Sequence, residues 1–97
     1  MPGIHREGDN TTGHGCWPPT VPATYSPNVF VNGLAVVRNG DSIVPHTCAA
    51  IPETHAGTYV GGGTVRVNGR AVQVQGSPVS CGDSAAGCSA NVTAGGA

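Results

Sequence analysis

The sequence contains no lysine, and only 9% of its 97 residues are charged. Four arginines stand against five acidic residues, for a formal net charge of −1. There is no basic patch or stripe, so the electrostatic footprint of a nucleic-acid-binding domain is missing. Aromatic side chains are as scarce: Trp17, Tyr25, Phe30 and Tyr59 are the whole set. No apolar run approaches the length of a membrane-spanning helix. No apolar pattern keeps helical spacing long enough to predict an α-helix. The N-terminal MPGIHREGD lacks the basic start and apolar stretch of a secretory signal. Synthesis in the cytoplasm is therefore expected, and any exit from the cell by another route. Cys16, Cys48, Cys81 and Cys88 form no CxxC pair.

What the chain has in quantity is glycine, 16 residues, and proline, 8. Residues 1–97 fit one small domain, which buries a limited fraction of its surface. A core this thin calls for a staple, either a disulfide or a metal. An even cysteine count without a signal sequence favours a metal or free thiols over a disulfide framework.

The chain spells one pattern twice. SPNVFVNGLAVVRNGD at 26–41 returns as GGTVRVNGRAVQVQGS at 62–77, with Val29/Val65, Val31/Val67, Asn32/Asn68, Gly33/Gly69, Ala35/Ala71, Val36/Val72 and Gly40/Gly76 identical. Asn-Gly between valine-rich runs is a strong hairpin signal. It predicts pairing of Val31 with Leu34 and Val29 with Val36, and of Val67 with Arg70 and Val65 with Val72. SANVTAGG at 89–96 resembles the first arm of this hairpin, and IHREGD at 4–9 the second. If these halves pair, three equivalent hairpins close a ring. The expected fold is thus all-β: a small cone of three pseudo-threefold hairpins, one built from the N- and C-terminal strands, with few or no helices. Closure also protects strand edges. A sandwich carrying two unrelated NG turns is the alternative.

Each repeat is followed by a metal-competent side chain. His14 lies five residues past Asp9, His46 five past Asp41, and Cys81 four past Ser77. A threefold axis would gather the three at one end, where zinc wants a fourth ligand for its tetrahedron. His5, His55, Cys16, Cys48 and Cys88 are the remaining candidates. His55 is selected because the loop AAIPETHAG leaves the ligand end and must return to start the second hairpin, which places His55 above or beside the other three. His5 falls in an expected strand and reads as structural, and Cys88 reads as a packing residue. Cys16 and Cys48, each two residues past a histidine, can bond to each other or stay as small buried hydrophobes; Cys48 also competes with Cys81. The expected site is His14, His46, His55 and Cys81, holding zinc, with iron as the alternative metal. A three-ligand site with an open position for water and Glu53 as base would make a hydrolase. Four protein ligands leave no such position, and no catalysis is expected.

MPGIHREGD, TGHGCWPP, SPNVFVNG, VVRNGDSIVPHTC, THAG, TVRVNG and SCG, in this order and spacing, resemble the PAAR-repeat family. Its members cap the spike of contractile injection machines, in phage tails or type VI secretion. The resemblance implies a cone with a zinc near its apex, held by three His and one Cys. Carried over, these ligands fall on His14, His46, His55 and Cys81. It implies docking of the broad end on a homotrimeric β-helical spike, one copy per trimer. It also implies transient contact with a target membrane during piercing, and adaptor service for a separate effector, since no cargo domain follows within the chain. The chain departs from the family pattern at LAVVR (34–38) and RAVQV (70–74), where Arg38 is kept and Val74 replaces its counterpart. It departs again at Gly76-Ser77 and in SANVTAGG.

Overall fold

The computed structural model describes residues 1–95. It is all-β, with no helix among the described residues. Strands β1 (Phe30–Val31) and β2 (Leu34–Ala35) form one hairpin, and β5 (Arg66–Val67) and β6 (Arg70–Ala71) its repeat. Val31 faces Leu34 and Val67 faces Arg70, the expected register. Asn32 and Gly33 have φ of 54° and 78°, and Asn68 and Gly69 have 54° and 77°. Positive φ at both central positions defines the type I′ turn, which asparagine and glycine alone enter at low cost.

The third repeat hairpin is assembled from the two ends of the chain. Gly3 bridges Thr93, and Ile4 N–H donates to Val92 O at 3.0 Å. The equivalent bonds are Val36 N–H to Val29 O at 3.1 Å and Val72 N–H to Val65 O at 2.9 Å. The last residue of SANVTAGG, Gly96, lies outside the described residues.

Three strand-like segments then meet at the axis. Arg6 bridges Val36, Arg38 bridges Val72, and Val74 bridges Ile4. At their centre, Val37 N–H donates to His5 O (3.1 Å), Gln73 N–H to Val37 O (2.9 Å), and His5 N–H to Gln73 O (3.0 Å). The three hydrogen bonds form a closed cycle, and all three residues are fully buried. Ile4, Val36, Val72, Val74, Val67 and Ala94 form one buried apolar cluster. Val37, Ile43, Tyr59, Val79 and Ala85 make a second cluster. The molecule measures 38 × 23 × 22 Å along its principal axes.

Each repeat leaves the ring through the same turn. Asp9 N–H donates to Arg6 O, Asp41 N–H to Arg38 O, and Ser77 N–H to Val74 O, at 2.9, 3.0 and 2.9 Å. Gly8, Gly40 and Gly76 have φ of 84°, 87° and 90°, so each turn needs glycine there. In two repeats a carboxylate accepts from both the backbone and the guanidinium of the arginine three residues earlier: Asp9 with Arg6, Asp41 with Arg38. In the third, Ser77 Oγ accepts only the Val74 N–H, at 2.9 Å. Between repeats, Arg6 donates to Asn32 and Arg38 to Asn68, so each guanidinium grips the turn of the next hairpin.

His5 is structural, as its strand position implied. Its Nδ1–H donates to Gly87 O at 2.6 Å and its Nε2 accepts the Tyr59 hydroxyl at 2.8 Å. Burial is the largest influence on His5 and lowers its pKa below the usual 6.5. The neutral ring is therefore the stable one. Its stabilising contribution is complete above pH 6.5 and is withdrawn as pH falls toward the lowered folded value. His5→Asn should accordingly cost most at pH 7.5, with the gap from wild type narrowing at pH 5.5 in urea unfolding with excess zinc. A gap that does not change with pH would contradict this.

Candidate metal centre

The structure brings His14, His46, His55 and Cys81 together, with one ligand-capable atom of each within 4.8 Å of the others. The polypeptide delivers them from three directions. His14 opens a tight turn in which His14 and Trp17 exchange N–H···O bonds of 3.0 and 2.9 Å. His46 begins β3 (His46–Cys48), which pairs with β4 (Glu53–His55). Cys81 sits on a turn closed by Gly82 N–H to Val79 O at 3.0 Å.

The β3–β4 hairpin departs from the sequence expectation, which treats AAIPETHAG at 49–57 as a loop. In the observed register His46 lies directly opposite His55. Directly opposed residues project to the same face of a ladder, so this pairing explains how a residue nine positions further on reaches the repeat-derived cluster. The expected proximity of His55 thus rests on strand pairing.

His55 Nε2 lies 2.9 Å from His14 Nε2 and 2.7 Å from His46 Nε2. His46 Nδ1–H donates to Pro18 O at 2.8 Å. That bond fixes the tautomer and leaves the Nε2 lone pair directed at the cluster. Hydrogen bonding alone does not satisfy the three nitrogens. If His55 Nε2 carries a proton it can donate to His46, but it then has no lone pair for His14. If it carries none, it faces the His46 lone pair. A cation shared by the nitrogens removes the conflict. With one thiol in reach, the donor set fits a borderline-soft ion such as zinc. Burial, then the neighbouring His46 and His14 charges, lower the His55 pKa below 6.5, while Glu53 and Asp83 oppose them. A lowered pKa favours the neutral form that binds metal.

One feature of the site escaped the sequence reading, and a second decides between two options it had left open. Trp17 stacks on His55, with centroids 4.4 Å apart and planes at 18°, and also lies against His14 at 5.3 Å. Its Nε1–H donates to Glu53 O at 3.0 Å, holding the first turn against β4. Its position three residues past His14, in a chain with so few aromatics, was the available signal. The second feature is a disulfide between Cys16 and Cys48, with Cα atoms 5.1 Å apart. It resolves the open question about these cysteines and joins the His14 turn covalently to the strand of His46. Metal cluster and disulfide therefore coexist, where the cysteine count had favoured the metal or free thiols alone. Cys81 and Cys88 are free and half-buried.

The sequence profile of the family described as PAAR motif matches residues 7–87. No curated protein matches the chain.

Proposed function

Because this chain belongs to the PAAR-motif family, we propose that it is a metal-stapled tip that caps a trimeric β-helical spike and helps it pierce a membrane. The family is one of structural spike-tip proteins of contractile injection systems. The observation that carries the finer reading is the closed three-membered ring at the axis. A monomer with three equivalent repeats can meet a true threefold partner with three contacts at once. The metal ligands His14, His46, His55 and Cys81 then belong to the narrow end, and zinc is the ion their chemistry suits best. His55, within 2.9 Å of two other imidazoles, takes the position that a hydrolytic water would need. A closed four-ligand site is structural in character.

The broad end carries the hairpin turns, and its chemistry supports docking. Phe30, Leu34 and Val65 are exposed on the hairpins, and Met1 is exposed beside the terminal pair. The repeat places Arg66 and Arg70 where the first hairpin has Phe30 and Leu34. Together with Asn39, Val60, Gly61 and Gly62 they line a groove of about 390 Å³. A spike subunit meeting each repeat in turn needs both an apolar contact and an acidic one.

Mixing the purified protein with a trimeric β-helical spike fragment tests the reading. One chain per trimer is expected, and Phe30→Asp should weaken binding at least tenfold, the equivalent of about 1.4 kcal/mol. Equal binding of the variant, or three chains per trimer, would refute it. Metal analysis of the same sample should return one zinc per chain. His55→Ala should lose that zinc; if the variant kept its metal, the four-ligand assignment would fail.

A further inference from the structure

Asp83 lies two residues past Cys81, on the loop that brings the thiol to the histidines. It is 2% exposed. Its Oδ1 accepts the Thr12 hydroxyl at 2.9 Å and the Ser84 N–H at 2.8 Å. Its Oδ2 is buried and makes no hydrogen bond, alone among the buried side-chain nitrogen and oxygen atoms of the described residues. A buried polar atom without a partner is costly, more so when charged. The two bonds to Oδ1 do not by themselves require a charge, because the carbonyl oxygen of an asparagine would accept them equally well. Nor does an arginine neutralise it: Arg6 pairs with Asp9, while Arg38 and Arg70 approach Asp41.

We propose that Asp83 is the outer counter-charge of the metal centre and a positioning residue for it, an inference that rests on the metal reading above. A dication bound by three neutral imidazoles and one thiolate keeps one net positive charge. A buried carboxylate two residues from the thiolate balances that charge in a medium where water cannot. The same side chain ties the segment before His14 to the segment after Cys81, through Thr12 and Ser84. The unpartnered oxygen is thus a cost of the metal-free protein that metal binding offsets.

Asp83→Asn tests this, because it keeps the shape and the Oδ1 acceptor and removes the charge. Zinc affinity is measured by competition with a chromophoric chelator, alongside the thermal midpoint of the metal-free protein with its disulfide intact. The expected result is zinc binding 10- to 100-fold weaker, the usual loss for an outer partner of a metal site, with a metal-free midpoint unchanged or raised. Zinc affinity equal to wild type would overturn the proposal, and so would a midpoint lowered equally with and without metal, which marks a purely structural clamp. Should the metal-free variant not fold, the rate of chelator-driven zinc loss replaces the midpoint: faster release supports the counter-charge, and equal release overturns it. A wild-type protein that takes up no zinc removes the metal centre itself. A wild type and variant that bind alike remove only the role of Asp83.

Discussion

Reductant and chelator applied together are expected to leave this chain unfolded at 25 °C, while reductant alone lowers the thermal midpoint by roughly 15–30 °C. The disulfide spans 32 residues. Closing a loop of that length restricts the unfolded chain by about 4 kcal/mol. A structural zinc contributes on the order of 10 kcal/mol. Small domains keep only about 5–15 kcal/mol of net stability, so losing both staples removes the whole margin. The two are also coupled. Cys16 and Cys48 each lie two residues past a histidine of the candidate site, so their bond holds His14 near His46 before any ion arrives. Reduction should therefore speed chelator-driven metal loss as well as lower the midpoint. Trp17, stacked on two of the histidines, offers a fluorescence signal for both events. A midpoint indifferent to reductant, with metal release unchanged, would show that the disulfide braces nothing.

The second large effect concerns the arginine–aspartate clamp. Asp41 is 1% exposed, and Arg38 7%. Asp41 Oδ2 accepts Arg38 N–H at 2.7 Å and Nε–H at 3.0 Å, and Oδ1 accepts Nη2–H at 2.9 Å and the Thr24 hydroxyl at 3.0 Å. Burial by itself raises the Asp41 pKa, but the bonds from Arg38 and Thr24 outweigh it and hold the carboxyl below its usual range. Its contribution is therefore present above the ordinary carboxyl pKa and lost as pH falls through the lowered folded value. Removing one partner of a buried pair leaves the other charge uncompensated. Asp41→Ala should cost about 3–5 kcal/mol, a large share of the total. The protein supplies its own control, because the third repeat has Val74 and Ser77 at the equivalent positions. Combining Arg38→Val with Asp41→Ser copies that arrangement and keeps an acceptor for the backbone N–H. It should cost less than Asp41→Ala alone. Urea unfolding of the metal-loaded proteins decides it: a double variant as unstable as the single one would mean that the stranded arginine is not the source of the loss.

The symmetric part of this molecule was legible in the sequence, and the asymmetric part was not. Asn32-Gly33 and Asn68-Gly69 announce their turn type locally, and the identical spacing of flanking valines sets the register. The pairing of IHREGD with SANV followed from the same repeat, since each half lacks only the arm that the other supplies. The convergence of His14, His46 and Cys81 needed nothing beyond equivalence of position. The β3–β4 hairpin has no such mark. Ala49–Pro52 carries no favoured two-residue turn, and HTC and ETH are too short for alternation to register. The pair is flanked by the Cys16–Cys48 bond and by Trp17 lying against His55, contacts between distant segments that no local pattern encodes. Disulfide partners in particular cannot be read from spacing alone. Asp83 was invisible for a related reason: an aspartate near a cysteine looks like any loop residue until its oxygen is found without a donor.

The cycle linking His5, Val37 and Gln73 has a mechanical corollary. In an open sheet, separation begins at an outermost strand and proceeds like a zip. Here each of the three crossing segments is held by both of its neighbours, so none is outermost. A force along the axis shears all three bonds at once, and a sideways blow on one repeat is passed to the other two. For a structural component of a spike tip, resistance comes from having nowhere for a tear to start.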